Sequence, residues 1–159
     1  MTKLKFIKKY IFRIFIILIF INAAPKYIES FKSINETFQT DSLMTIDGED
    51  YNIKETSLFI FWATWCGPCH TQIQLMNKLP RNLKEKIVLV NSSESKQTIK
   101  KYMEKNKIRM TSTLDRKSKL TKSLNVSATP TLYLVNQNEL IKYCSIGFSI
   151  MAPILLFFF

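Results

Sequence analysis

Two cysteines that are separated by two residues are the clearest chemical feature of this sequence. Cys66 and Cys69 enclose Gly67 and Pro68, and the apolar run at residues 58–62 predicts a strand just before them. A helical pattern follows, and a helix that begins at Cys66 would place its thiol among backbone N–H groups at the positive end of the helix dipole. Both favour the thiolate, which is the nucleophile in thiol–disulfide exchange. Cys69 could then expel a mixed disulfide from Cys66, so the segment predicts an attacking and a resolving thiol.

The same residues also match two metal-binding patterns. With His70 the segment reads C-x-x-C-H, the attachment signature of c-type haem, and the cysteine pair could form half of a zinc site. Zinc would need two further Cys or His ligands, whereas the sequence offers the adjacent His70 and the distant Cys144. Haem would need flanking helices, whereas a predicted strand precedes the motif and Pro68 lies inside it. We therefore favour a redox dithiol, and interpret His70 as a solvated residue of the first helical turn.

The sequence around the dithiol resembles a known family. Residues 61–66, FWATWC, together with an apolar N-terminal segment, resemble the active site of the thioredoxin superfamily in its membrane-anchored TlpA/ResA-like branch. A second motif supports the resemblance, because Ala-Thr-Pro-Thr at residues 128–131 leads into a strand-like run. In that superfamily the matching proline is cis and lies beside the dithiol, which implies these properties for Pro130. The resemblance extends over about residues 38–147.

The resemblance implies a mechanism for this chain. The Cys66 thiolate would attack a disulfide of a partner protein, and Cys69 would then attack Cys66, release the reduced partner and leave both cysteines oxidised. The partner chain would lie beside Trp65 and across Thr129 and Pro130, because the residue before the cis proline presents its backbone to the substrate. No metal is expected, and no cofactor other than the Cys66–Cys69 disulfide.

Gly67 and Pro68 bear on the direction of electron flow. They are expected to shape the turn and to help set the potential, and a Gly-Pro pair resembles the reducing thioredoxins, near about −270 mV, rather than strong oxidants near about −120 mV. The prediction is a thiol-disulfide oxidoreductase that reduces exported proteins, with apocytochrome c as a candidate substrate and a transmembrane thiol transporter as electron donor. A disulfide-forming oxidase or isomerase and a non-catalytic binding module stay open as alternatives.

The rest of the chain alternates short apolar runs with helical patterns. Predicted strands lie at residues 58–62, 87–90, 132–135 and 140–146, and predicted helices lie after the dithiol, at 96–106 and at 119–124. This order predicts an α/β fold, a thioredoxin-like three-layer sandwich. Residues 38–44 and 51–53 flank the turn signal Asp47-Gly48 and predict an N-terminal β-hairpin extension.

The N-terminus predicts where the protein works. Five cations among the first thirteen residues precede an unbroken apolar run at 14–21, and small residues follow at 23–24, which is the form of an export signal. The run is short for a membrane span, which needs about 20 apolar residues. A cleaved signal and a membrane anchor both stay open, and the resemblance favours the anchor. In either case the dithiol would face the periplasm or another space outside the cytoplasm.

The chain is expected to divide into four segments. These are a signal peptide or membrane anchor at 1–24, a linker at 25–37, the thioredoxin-like domain at 38–147 and an apolar tail of unknown role at 148–159. The tail has no charged residue and contains Pro153, whereas the family closes with an amphipathic helix. The closing C-terminal helix is therefore expected to be altered or missing.

Two positions depart from the family pattern in losing a carboxylate. Ile60 stands where cytoplasmic thioredoxins bury an aspartate before the dithiol, and Gln72 stands where the TlpA/ResA-like branch often has glutamate. Neither change removes the dithiol, but both remove groups that could move protons. Glu55 is the nearest acid upstream of the dithiol.

Composition agrees with a single domain. The chain has 159 residues, 47% of them hydrophobic, which suffices for one ordinary core. Three cysteines do not make a disulfide framework, and Cys144 is expected to be a buried small hydrophobe. The net charge is +11, with fourteen basic and four acidic residues between 78 and 122, which indicates either a basic binding face or lysine-solvated helices. Nucleic acid is not expected as a partner, because no recognition motif is present.

Overall fold

A computed structural model describes residues 33–158, and the predicted signal or anchor at residues 1–24 lies outside them. The described strands are β1 (Leu43–Thr45), β2 (Ser57–Phe61), β3 (Ile87–Asn91), β4 (Thr111–Asp115), β5 (Thr131–Val135) and β6 (Ile141–Ile146). They form one sheet in the order β1-β4-β3-β2-β5-β6. β2, β3 and β4 are parallel, whereas β1, β5 and β6 join by antiparallel pairing.

Helices cover both faces of this sheet. They are α1 (Gly67–Asn77), α2 (Arg81–Lys84), α3 (Lys96–Lys105), α4 (Lys119–Ser123) and α5 (Met151–Phe158), with a 3₁₀ turn (Arg116–Ser118) before α4. α3 and α4 begin where the sequence predicts and end one residue earlier. The thioredoxin-like three-layer sandwich is thereby confirmed.

The central strand β2 divides the interior into two cores. Side chains alternate along a strand, so Leu58 and Ile60 point to one face and Phe59 and Phe61 to the other. We call the first set the dithiol-side core, because it includes both motif cysteines and residues of α1, α2, α3 and α5. We call the second set the aromatic core. Its buried residues are Phe38, Leu43, Phe59, Phe61, Val88, Val90, Leu120, Tyr133, Val135 and Ile141.

The N-terminal extension differs from the predicted hairpin. The turn at Asp47-Gly48 is present, with Gly48 at a φ of +104° and its N–H donating to the Thr45 carbonyl at 2.9 Å. The second arm is not a strand, because its contact with β1 is limited to the isolated bridge between Met44 and Asp50. Tyr51 and Ile53 pack against the aromatic core instead, and β1 pairs with β4.

One further segment joins the sheet from outside the predicted domain. Residues 33–37 fall in the predicted linker, yet the Asn35 N–H donates to the Ile141 carbonyl at 2.8 Å and Thr37 bridges Leu140. Within the predicted domain, Cys144 lies on β6, where it is half-buried rather than buried and packs against the aromatic core.

The C-terminal helix is present but altered in composition. Pro153 is the third residue of α5, and in the first helical turn its missing N–H removes no intrahelical hydrogen bond. Ala152 and Leu156 are buried in the dithiol-side core. The outward side chains of α5 are also apolar, and those exposed are Met151, Ile154, Phe157 and Phe158. Phe148 and Ile150, just before the helix, are exposed as well. Within residues 33–158, no helix has both the length and the apolar character that crossing a membrane requires.

Candidate active site

The two motif cysteines form a disulfide at the start of α1. Cys66 and Cys69 have an S–S distance of 2.01 Å and a Cα–Cα distance of 5.2 Å. Cys66 is the N-cap residue of α1, and its Sγ accepts the Cys69 N–H at 3.2 Å. Gly67 and Pro68 are the first two residues of the helix, where a proline costs no hydrogen bond. Cys66 is 5% exposed and Cys69 is fully buried, so the two sulfurs are not equivalent.

The second predicted motif lies directly against the disulfide. The Thr129–Pro130 peptide bond is cis, as the resemblance implies. The Thr129 carbonyl oxygen lies 3.5 Å from Cys66 Sγ, although the two residues are 63 apart in sequence. Thr131 donates its hydroxyl to the Ala128 carbonyl at 2.7 Å, which fixes the turn before β5. The structure therefore brings both sequence motifs to one site.

Trp65 forms the exposed edge of the site. Trp65 is 76% exposed, although its side chain is large and apolar. It borders a groove of about 240 Å³ that extends from the turn before α1 to the turn before β5. None of the lining side chains carries a charge, and they include Trp62, Ala63, Ser92, Ser93, Val126, Ala128 and Thr129. The groove suits a neutral polypeptide segment.

Glu94 is a site residue that the sequence analysis missed. Its carboxylate accepts the Thr64 N–H at 2.7 Å and also the Thr64 hydroxyl, two residues before Cys66. The available signal was topological, because the carboxyl ends of the parallel strands β2 and β3 lie at one edge of the sheet, where ligand sites of such sheets form. Glu55, the acid that the sequence indicated, is exposed and pairs with Lys86 at 3.5 Å.

A second contact near the dithiol involves His70, the residue that follows Cys69. His70 is exposed on the first turn of α1, and its Nδ1 lies 2.6 Å from the Tyr102 hydroxyl of α3. The Tyr102 ring packs on buried Trp62 with centroids 5.1 Å apart. Burial, and secondarily the charge of Glu94, raises the pKa of the Tyr102 hydroxyl. His70 is thus solvated as predicted, but it also joins α1 to α3.

The two positions that lost a carboxylate hold buried neutral side chains. Ile60 is fully buried in the dithiol-side core. Gln72 is also fully buried, and its amide pairs with the backbone of Ser149, accepting the N–H at 2.8 Å and donating to the carbonyl at 3.2 Å. A carboxylate could accept the first of these bonds but could not donate the second. Gln72 is therefore a packing contact between α1 and the segment before α5.

Metal ligation finds no support in the geometry of residues 33–158. No three His, Cys, Asp or Glu side chains in this part of the chain lie close enough together to hold a metal ion.

The arrangement of Cys66, Cys69 and the cis Pro130 defines a dithiol–disulfide site of thioredoxin-like form. Comparison with known families agrees, since the model of the Redoxin family matches residues 29–152, and the chain belongs to this family.

Individual relatives carry names of the same chemistry. The chain is 28% identical over 114 residues to sporulation thiol-disulfide oxidoreductase A of Bacillus subtilis (strain 168), which covers 66% of this chain and 69% of that protein. It is 31% identical over 90 residues to thiol-disulfide oxidoreductase ResA of Geobacillus kaustophilus (strain HTA426), over 55% of this chain and 52% of that protein. The chain thus spans about half to two thirds of these relatives.

A solved structure supports the fold. The crystal structure of StoA from Bacillus subtilis matches with a TM-score of 0.58 at 23% sequence identity, over 77% of this chain and 96% of that one. Together, the Redoxin match and the two named relatives confirm the resemblance to the ResA-like thiol-disulfide oxidoreductases.

Proposed function

We propose that this protein is a thiol-disulfide oxidoreductase that reduces disulfides in exported proteins through Cys66 and Cys69. The observation that carries the proposal is the unequal placement of the two sulfurs. Cys66 Sγ caps α1 and accepts the Cys69 N–H at 3.2 Å, a contact that stabilises a thiolate. Cys69 is fully buried behind it. Cys66 is accordingly the attacking residue and Cys69 the resolving one.

The reaction moves two electrons to the substrate. The Cys66 thiolate attacks one sulfur of the substrate disulfide, forms a mixed disulfide and releases the other substrate sulfur as a thiolate, which takes a proton from water. Cys69, after losing its proton to water, attacks Cys66 Sγ, breaks the mixed disulfide and releases the second substrate thiolate, which also takes a proton from water. Cys66 and Cys69 end as the disulfide and the substrate as a dithiol. A dithiol protein then returns two electrons and two protons to the pair.

The surroundings of Cys66 support a polypeptide substrate. The Thr129 carbonyl lies 3.5 Å from Cys66 Sγ, so a substrate strand that hydrogen-bonds to Thr129 would bring its own sulfur to Cys66. Trp65 is exposed beside the groove and offers apolar contact area. Gly67 and Pro68 shape the intervening turn, and Pro130 removes an N–H beside the sulfur. Apocytochrome c is one substrate that fits this role.

The cellular placement rests on the N-terminal sequence. Its cations and apolar run have the form of an export signal or anchor, which supports a position of the dithiol outside the cytoplasm, where a transmembrane thiol transporter would supply electrons. In a Cys144→Ser background, a membrane-impermeant maleimide should label reduced Cys66 in intact cells. Labelling that requires lysis would contradict this placement.

The direction of electron flow is tested by the reduction potential of the Cys66–Cys69 pair. The full chain is equilibrated with glutathione or dithiothreitol buffers, and the fraction of oxidised pair is measured, with Cys66→Ser as the blank. The proposal predicts a value near that of reducing thioredoxins, about −270 mV. A value near about −120 mV would overturn it in favour of a disulfide-forming oxidase.

A further inference from the structure

The loop between β3 and α3 holds one carboxylate rigidly beside the active-site turn. Asn91 is fully buried at the end of β3, and its Oδ1 accepts the N–H groups of Ser93 at 3.1 Å and Glu94 at 3.0 Å. Its Nδ2 donates to Glu94 Oε2 at 2.7 Å. Both the backbone and the side chain of Glu94 are therefore fixed from the sheet.

Glu94 in turn holds the turn that leads into α1. Its Oε2 accepts the Thr64 N–H at 2.7 Å, and its Oε1 accepts the Thr64 hydroxyl. Hydrogen bonds to a carboxylate are roughly twice as strong as those between neutral groups. Thr64 lies between Ala63, whose carbonyl accepts the Cys66 N–H at 3.2 Å, and the exposed Trp65. The carboxylate thus fixes the residue that directly precedes the exposed Trp65 and lies two positions before the attacking Cys66.

We propose that Glu94 is a positioning residue, which acts through Thr64 to hold Trp65 and Cys66 in register for a protein disulfide. This inference rests on the proposed exchange at Cys66–Cys69 and adds the group that presents the site to a polypeptide. Cys66 has its own support from the Cys69 N–H and from α1. Loss of Glu94 therefore affects a polypeptide, which must contact Trp65 and Thr129 together, more than a small disulfide that contacts Cys66 alone.

A double-mutant cycle tests the contact. The full-length variants are Glu94→Ala, Thr64→Val and the combination, with Glu94→Gln as the conservative variant. Glu104→Gln is the matched control, because it removes one carboxylate from an exposed position of α3. Each variant is assayed for kcat/KM with insulin as the protein disulfide. The rate of Cys66 with 5,5′-dithiobis(2-nitrobenzoate), a small disulfide, is measured in parallel, and thermal unfolding confirms that the variants are folded.

The proposal predicts a specific pattern of losses. Glu94→Ala should lower kcat/KM for insulin about tenfold, since a misplaced group near the reacting atoms commonly costs that much or more. Thr64→Val should lose about threefold, because it keeps the amide contact, and the double variant should match Glu94→Ala within about twofold, because one contact can be lost only once. Glu94→Gln still accepts the Thr64 N–H, so its kcat/KM for insulin should lie within about threefold of the wild-type value. Rates with the small disulfide should change by less than about twofold.

Other patterns would overturn the proposal. These are losses that multiply in the double variant, equal losses with the two disulfides, or a Glu94→Gln variant as poor as Glu94→Ala. A wild-type protein that is inert toward insulin would instead overturn the proposed function. In that case hydrogen exchange decides for Glu94, because the Thr64 amide should exchange at least about tenfold faster in Glu94→Ala than in Glu104→Gln.

Discussion

The two faces of the central sheet bury different chemistry. The dithiol-side core combines Cys66 and Cys69 with aliphatic side chains and with hydrogen-bonded contacts such as Gln72 to Ser149. The aromatic core on the opposite face combines four buried rings with aliphatic side chains, and the ring centroids of Phe38 and Phe59 lie 4.3 Å apart. Because the redox pair belongs to one face alone, stability and reactivity should respond separately to substitutions on the two faces.

The difference also shows how the N-terminal extension contributes. Phe38 precedes β1 and is fully buried, and its N–H donates to the Glu139 carbonyl at 2.7 Å. It also lies within 6.5 Å of Phe61 and 6.0 Å of Tyr133, measured between ring centroids. The extension therefore completes the core opposite the dithiol, and its role is to stabilise the sheet that carries the active-site turn.

Removal of the Phe38 ring should cause the largest loss of stability. Phe38→Ala should lower the free energy of unfolding by about 3–5 kcal/mol, because it leaves a cavity among buried rings. Denaturant unfolding measures this loss. The Cys66–Cys69 potential of the folded variant should stay at the wild-type value. Phe148→Ala is the matched control, since its side chain is 46% exposed and should cost less than about 1 kcal/mol. A shifted potential in Phe38→Ala would show that the two faces are coupled.

On the dithiol side, a smaller loss of stability is expected when the amide contact between Gln72 and Ser149 is removed. Gln72→Leu should lower the free energy of unfolding by about 2–3 kcal/mol, because the Ser149 N–H and carbonyl then lack their partners. Hydrogen exchange should show the loss at α5 first. Gln74→Leu, on the same helix and half-buried, should cost less than about 1 kcal/mol. If the two variants were equally stable, the pairing would not be what docks α5.

The sequence predicts the local parts of this structure well. The dithiol segment, the Thr129-Pro130 motif and helices α3 and α4 are each recognisable from contiguous residues. The role of Glu94 is not recognisable in this way. It depends on two parallel strands that bring Thr64 and Glu94 together, although the two residues are 30 positions apart. From the sequence alone, Gln72 indicates only the loss of a carboxylate, because its partner Ser149 lies 77 residues away.

The conformations of two other segments are harder to predict from the sequence, for a different physical reason. The predicted second arm of the hairpin, residues 51–53, has strand-like composition, but tertiary packing on the aromatic core decides its conformation. The C-terminal residues 151–158 are apolar on all sides, so they show no helical period, yet they form α5.

The smallest effect is expected on the stability of the fold at alkaline pH, to which one tyrosine on each face contributes. Burial raises the pKa of the Tyr51 hydroxyl in the aromatic core, as it does that of Tyr102 beside Trp62. The folded state disfavours the charged phenolate, so this stability is fully present below the unfolded pKa of about 10 and is lost as the pH rises through the folded pKa. Tyr51→Phe and Tyr102→Phe should each flatten the fall in stability above about pH 10. Equilibrium unfolding from pH 8 to 12 measures it, and an unchanged slope in both variants would contradict the assignment.

Trapping of mixed disulfides shows which cysteine attacks, and the proposed roles make Cys66 the attacking residue and Cys69 the resolving one. In a Cys144→Ser background, Cys69→Ser leaves Cys66 able to attack but removes the thiol that releases the product. Exported proteins should therefore accumulate as disulfide-linked adducts that separate on reduction, seen by non-reducing electrophoresis. Cys66→Ser in the same background should yield none. Adducts in Cys66→Ser and their absence in Cys69→Ser would reverse the assigned roles and contradict the account.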